Sequence, residues 1–490
     1  MKGKKLAMRS AFLLGVSMAL AACSASEHDG TFAVPAAQPV TAAKKAQDRP
    51  PNIIVILTDD QGYADVGFNG STEIPTPNID RIAKEGVRFD RGYVSFPVCG
   101  PSRAGLLTGR YQSRFGYDLN ASENPHDPTA GLPLSERTIA DILHQAGYTS
   151  AALGKWHMGN HDQFHPFERG FDEFYGFPNG GHNYFLDRLR NIPIKEAKNG
   201  GQLYESWLMV GREQVATSGY LTDWLSERAV EFVERHKEKP FFLYLAYNAP
   251  HTPMQATQKY LDRFRHIADE RRRTYAAMVS AVDDGVGVLL DRLDTLGLAD
   301  DTIVFFLSDN GGPLVRARNG SVNLPLRGGK GDLFEGGVRV PFAMRWTGRI
   351  PAGVNYPHSV SSLDIAATAA GVNGISIPAG NALDGVNLIP YLTGAKKGEA
   401  PHRQLFWRYP ADTRDNLRIG RRAAIDGNDK LVEYKRDQSL FDLSKDIGEQ
   451  KNLRGDRKQR THELDAAWQR WNDQMAKRSA IAIYNEWEGS

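Results

Sequence analysis

The chain has 490 residues, of which 41% are hydrophobic, 10% aromatic and 24% charged. This is the composition of a folded globular protein, and it excludes collagenous, low-complexity and disordered classes. The formal charge is +2, but Lys2, Lys4, Lys5 and Arg9 fall in the first 22 residues with no acid among them; without these four cations the rest carries −2, so net charge gives no argument for nucleic-acid binding.

Residues 1–22 read as an address. The basic start leads into the apolar run Ala11–Ala22, too short to span a bilayer and shaped like the central part of a signal peptide. The run ends Leu20-Ala21-Ala22-Cys23, which resembles a bacterial lipobox, in which the cysteine is lipidated; a plain secretory signal cut near Ala22 is the alternative. The expectation is a lipid-anchored protein of the bacterial cell envelope, at the outer membrane or its periplasmic face. Residues 23–50, rich in Ala and Pro, read as a tether. No later segment is apolar for long enough to form a transmembrane helix. With two cysteines in all, a lipid on Cys23 leaves Cys99 alone and excludes an internal disulfide.

Four stretches then share one grammar, a short apolar run that turns abruptly polar. Ile53–Leu57 is followed by Thr58-Asp59-Asp60, and Tyr148–Leu153 by Gly154-Lys155-Trp156-His157. Phe241–Tyr247 is followed by Asn248-Ala249-Pro250-His251, and Val304–Leu307 by Ser308-Asp309-Asn310. Runs without alternation predict strands buried on both faces. Between them, Ile139, Ile142, Leu143 and Ala146 recur at helical spacing before Gly147, as do Leu225, Ala229, Phe232 and Val233 before Pro240, and Val282 through Leu296 before Gly297. The alternation predicts an α/β fold, a large central, mostly parallel sheet sandwiched by helices, over residues 51–394. Residues 395–490 read as a small α+β subdomain: Leu405–Arg408 and Asp429–Tyr434 predict strands, and Leu464, Ala467, Trp468, Trp471 and Met475 form one helical face.

Ligands of open α/β sheets bind beyond the carboxyl ends of the strands. Asp59, Asp60, Asp309 and Asn310 offer only oxygen, three of them anionic, which suits Ca²⁺ or Mg²⁺ rather than Zn²⁺. Capping acids at two separate loops are the bland alternative. Lys155, His157 and His251 supply cationic or proton-donating groups, and Lys155 and His157 would share a side if the chain stays extended. With a cation they describe an oxyanion site with a general acid. The nucleophile candidate is Cys99, in Cys99-Gly100-Pro101-Ser102-Arg103. Pro101 suits the first position of a helix, which predicts Cys99 beside a helix N-terminus with a depressed thiol pKa, and Arg103 close by.

The run Cys99–Arg110, CGPSRAGLLTGR, resembles the sulfatase signature C-x-P-x-R with its T-G-R extension. The resemblance continues through NIIVILTDDQGYADVG, LGKWHMG, NAPHTP, LSDNGG and LRGGKGDLFEGGVRVPF, over nearly all of residues 51–394. It implies a type I, formylglycine-dependent sulfatase of alkaline phosphatase-like architecture, similar to polysaccharide sulfatases. It further implies that Cys99 is converted to formylglycine (3-oxoalanine) by a maturation enzyme, and that this residue with Asp59, Asp60, Asp309 and Asn310 binds Ca²⁺. Arg103, Lys155, His157, His251 and Lys330 would hold the sulfate or move protons. Gly100 departs from many members, which have Ser, Thr, Cys or Ala there.

The implied substrate is a sulfated polysaccharide or its oligosaccharides, such as algal carrageenan, ulvan or a glycosaminoglycan. His182, Asn183 and Tyr184, in an aromatic, glycine-bearing loop, would meet sugar rings, or else pack the loop. Arg316, Arg318 and Arg327 would meet further anionic groups, whereas Arg271-Arg272-Arg273 reads by default as a solvated run. Two rival readings are a phosphodiester or phosphonate ester hydrolase and a non-catalytic lipoprotein that binds sulfated glycans.

Overall fold

The computed structural model describes residues 49–314, 319–412, 418–434 and 436–477. The signal peptide, Cys23 and nearly all of the tether therefore lie outside the described residues, as do Arg316 and Arg318. No helix among the described residues is long and apolar enough to cross a membrane.

The first sheet has ten strands: β1 (Asn52–Thr58), β2 (Val87–Tyr93), β3 (Thr149–Lys155), β4 (Glu173–Phe177), β5 (Leu208–Val210), β6 (Glu213–Val215), β7 (Phe241–Ala246), β8 (Thr302–Ser308), β9 (Phe342–Arg345) and β10 (Val354–Ser361). Their order is β10-β2-β9-β8-β1-β7-β3-β4-β5-β6. The central block β8-β1-β7-β3-β4 is parallel throughout, while β9, β5 and β6 run antiparallel to their neighbours.

The non-alternating apolar runs are buried on both faces. Ile54, Ile56, Leu243, Leu245, Val304 and Phe306 join one core with helices Pro77–Lys84, Leu221–His236 and Glu270–Thr295. Their in-between neighbours Ile53, Val55, Leu57, Phe242, Tyr244 and Phe305 join the other, with helices Cys99–Thr108, Ile139–His144 and Asp364–Val372. Burying each such side chain is worth roughly 1.5–3 kcal/mol, so the central strands anchor the fold. β3 runs past Leu153 to Lys155, because Gly154 has φ +96° and a Cβ there would lie 2.0 Å from Ala246 O of β7.

The small sheet is antiparallel in the order β11 (Gln404–Asp412), β12 (Arg418–Asp426), β13 (Asp429–Tyr434) and β14 (Asp437–Asp442), followed by helix Lys458–Asn472. Its two faces share cores with the large layer. Phe406, Leu431, Trp468 and Trp471 pack with Tyr111 and Leu363, while Leu405, Trp407 and Phe441 pack with Tyr93, Leu333 and Val338.

Candidate active site

The four strands with loaded carboxyl ends are consecutive neighbours in the sheet, β8-β1-β7-β3. At about 4.8 Å per strand, this gathers residues from remote parts of the sequence at one edge. In an extended chain Asp59 and Asp60 would face opposite ways; Asp60 has φ 62°, a left-handed turn that brings its carboxylate back beside Asp309 and Asn310. Asp60 N donates to Asp309 Oδ1 at 3.3 Å, and Asn310 Nδ2 to Asp60 Oδ1 at 2.7 Å.

Cys99 is the first residue of its helix, so Pro101 stands third, where no intrahelical N–H is required, rather than first as expected. Its thiol donates to Asp59 Oδ1 at 3.5 Å and accepts from Lys330 Nζ at 3.1 Å. Ligand atoms of Asp59, Asp60, Cys99 and Asp309 all lie within 4.8 Å of one another. Three cations face these carboxylates. Arg103 donates from Nε and Nη2 to Asp309 Oδ2 at 2.9 and 2.8 Å, and from Nη1 to Lys155 O at 2.9 Å. Lys155 Nζ lies 2.5 Å from Asp59 Oδ2, and Lys330 Nζ 2.7 Å from Asp60 Oδ1. Arg103 and Lys155 are fully buried and brace the carboxylates, whereas Lys330 is partly exposed.

The donor set fits a hard cation. Asn310 Oδ1 is buried without a hydrogen-bond partner, although the same amide donates to Asp60 and Gly311 O. An acceptor left bare beside three carboxylates is costly unless a cation meets it.

Burial and the Asp59 and Asp309 carboxylates push the Cys99 thiol up to about 12, against the pull of Lys155 and Lys330. The depressed thiol expected from the helix N-terminus is thus reversed, because the pocket removes water and carries its own negative charge. Burial and the nearby cations, Lys155 foremost, hold His157 well below the ordinary imidazole value, and burial with Lys155 holds His251 at about 3. Both imidazoles are therefore neutral. Burial disfavours the charged Lys330, but Asp60 and its neighbours outweigh this and keep it protonated.

His157 reaches the site by a route other than the extended one foreseen. It has φ 58°, its N–H donates to Pro178 O at 2.9 Å, and its Nδ1 is buried without a partner. His251 Nε2 stands 3.7 Å from Asp60 Oδ2.

The loop expected to meet sugar has another position. His182 is fully buried, with Nδ1 on Asn183 O at 3.0 Å and Nε2 on Ser206 O at 2.9 Å. Tyr184 is fully buried too, and its hydroxyl donates to His251 O at 2.8 Å, so it braces the His251 turn. Of the three, Asn183 alone is partly exposed, its Oδ1 accepting from Gln255 Nε2 at 3.3 Å. Arg272 is buried on Asp65 and Glu73 rather than solvated, and Arg327 bonds Glu449 O across the Phe334 ring.

Two contributors were not visible in the sequence. Asn120 Oδ1 accepts from Gly100 N at 3.0 Å, and a Cβ on Gly100 would stand 2.9 Å from that oxygen. Asn319 Nδ2 donates to Asp60 O at 3.1 Å. Both are isolated asparagines, and nothing local marks them.

The sulfatase family model matches residues 51–375, and a model described as N-sulphoglucosamine sulphohydrolase, C-terminal, matches residues 329–476. N-acetylgalactosamine-6-sulfatase of Homo sapiens is 37% identical over 391 residues, covering 77% of this chain and 71% of its own. The solved structure of Ps i-CgsB in complex with k-i-k-neocarrahexaose is 38% identical, with a TM-score of 0.81 over 90% of this chain and 96% of that one. A phosphonate monoester hydrolase, SpPMH from Silicibacter pomeroyi, is 19% identical with a TM-score of 0.62 over 88% of this chain and 96% of its own, which shows likeness of fold alone. The matched region holds the whole constellation around Cys99, and the chain belongs to the sulfatase family, as a sulfuric ester hydrolase.

Proposed function

We propose that this protein is a formylglycine-dependent sulfatase that removes sulfate from carrageenan-type polysaccharides or their oligosaccharides, with Ca²⁺ in its site. The observation that carries the reading is Cys99 at a helix start, 3.1 Å from Lys330 Nζ, where three carboxylates meet three cations. The protein charges balance, so a divalent cation leaves the pocket positive and suited to an anionic ester. Asp59, Asp60, Asp309, Asn310 and residue 99 would hold the cation, which when bound supplies charge neutralisation at the ester oxygens.

In this reading Cys99 Sγ marks the place of one oxygen of the aldehyde hydrate. That hydroxyl passes its proton to the Asp59 carboxylate, to which the residue-99 side chain donates, and its oxygen attacks sulfur as the S–O bond to the sugar breaks. The leaving oxygen takes a proton from Lys330, the group that carries one here, or from His251 once an arriving sulfate raises its basicity. His157, neutral and with a bare Nδ1, takes the proton of the second hydroxyl; the C–O bond to sulfate then breaks and the aldehyde re-forms. Arg103 and Lys155 keep the carboxylates in place throughout.

The sugar class is supported by the oligosaccharide bound to Ps i-CgsB, and maturation by an aldehyde-forming enzyme follows from the need for a geminal hydroxyl. Mass spectrometry of the peptide holding residue 99, paired with sulfate release from a panel of sulfated polysaccharides, tests the reading. Turnover should track the aldehyde fraction, and full turnover by an unmodified thiol would refute it. The chain is further proposed to reside in the bacterial envelope through lipid on Cys23; a wild type left unlabelled by a fatty-acid probe would refute the anchor.

A further inference from the structure

The small sheet sets a cation against the loop that carries Lys330, through its register. Tyr409 of β11 pairs directly with Arg421 of β12, which pairs directly with Tyr434 of β13. Directly opposed residues share a face. The Arg421 guanidinium lies 5.2 Å from each ring centroid, held between the two tyrosines. Each tyrosine is fixed in turn, Tyr409 stacked on Phe96 at 5.2 Å and Tyr434 on Phe334 at 5.2 Å.

This row touches the loop that carries Lys330. Arg421 Nη1 donates to Gly331 O, and the Tyr434 hydroxyl accepts from Leu333 N at 2.9 Å and donates to Asp332 Oδ1 at 2.8 Å. Asp332 Oδ1 stands 3.9 Å from Arg421. Lys330 in turn reaches Cys99, so one residue step and one lysine side chain separate the guanidinium from the nucleophile, at most roughly 18 Å. Its side chain is 39% exposed, unlike the buried Arg103 and Lys155. Tyr409, raised by burial, is pulled down by both Arg421 and Lys330, so both charges lie close to its hydroxyl.

An exposed guanidinium pinned between rings loses little freedom on binding, and its planar fork matches sulfate or carboxylate. We propose that Arg421 is a specificity-determining residue, binding an anionic group on the sugar ring next to the one whose ester is cut. The proposal rests on the sulfated-saccharide reading above, and names where a second charge of that substrate is recognised.

The test compares kcat/KM on 4-nitrophenyl sulfate, which has no neighbouring ring, with that on a carrageenan oligosaccharide sulfated on adjacent rings. Arg421→Gln should lower the oligosaccharide value about tenfold more than the aryl value, mostly through KM, as expected for losing one charge-assisted contact. Arg421→Lys, keeping charge without the fork, should fall between. Equal losses on both substrates would mean that Arg421 acts through Gly331 and Lys330, and would overturn the proposal, as would no loss on either. A wild type that turns over the aryl sulfate but neither cleaves the oligosaccharide nor, as Cys99→Ala, binds it in calorimetry would instead overturn the saccharide reading.

Discussion

Replacing Lys430 by methionine tests whether the small sheet is structurally joined to the loop bearing Lys330. Lys430 is fully buried, with Nζ 2.8 Å from Glu335 Oε1 and 3.1 Å from Glu449 Oε1. Glu335 opens the short helix just beyond that loop, and its N–H donates to Glu449 Oε2 at 2.7 Å. Glu335 keeps Arg339 at 3.2 Å and the Tyr93 hydroxyl at 2.9 Å when the lysine is removed, but Glu449 is left buried against a like charge. Breaking a buried pair in this way costs about 3–5 kcal/mol. Urea denaturation should show the unfolding free energy lowered by that amount, with a lower midpoint at unchanged slope. Burial already lifts Glu449 to about 7, with Lys430 holding it down and Glu335 pushing it up. A raised folded-state pKa gives stability that is complete at acid pH and lost as pH rises through it. Without Lys430 the pKa rises further, so the deficit should grow as pH rises through about 7 and beyond. Lys430→Met with Glu335→Gln should recover part of the loss by removing the like-charge contact. A single variant within about 0.5 kcal/mol of wild type, or a deficit independent of pH, would refute the reasoning.

Asp309→Asn keeps the shape but removes one anionic donor; calorimetric Ca²⁺ affinity should fall at least about tenfold and turnover should be lost, and wild-type cation binding would contradict the assigned donor set. His402 Nε2 lies 2.7 Å from Asp364 Oδ1; burial opposes the imidazolium, but the carboxylate outweighs it and raises the pKa. The stability it adds is complete below the ordinary imidazole range and lost as pH rises through the raised value. Urea midpoints should therefore drop as pH rises above the ordinary imidazole range by an increment absent from His402→Gln, and parallel profiles would count against the pair. Gly154→Ala should cost more than about 3 kcal/mol or give insoluble protein, since its Cβ would stand 2.0 Å from Ala246 O at a left-handed φ; an unchanged melting temperature would disprove that close approach.

The local chemistry of this chain was legible from sequence. Runs such as Ile53–Leu57 lack alternation because both faces of the strand are buried, and they stand out for that reason. The Cys99 run, the paired acids and the lysine and histidine segments are likewise contiguous, so their residue types could be read together. What the tertiary structure decided is everything that depends on pairing between distant segments. Strand neighbours are joined by backbone hydrogen bonds, which leave no side-chain record, so the order β8-β1-β7-β3 that aligns the four loaded ends appears only in the sheet. The same applies to Arg103 and Asp309, 206 residues apart, and to the Tyr409-Arg421-Tyr434 row, which exists through register alone. Burial, too, is a long-range property: it turned His182 and Tyr184 inward, Arg272 into an ion pair and the Cys99 thiol upward in pKa, because those outcomes depend on how much water the rest of the fold excludes.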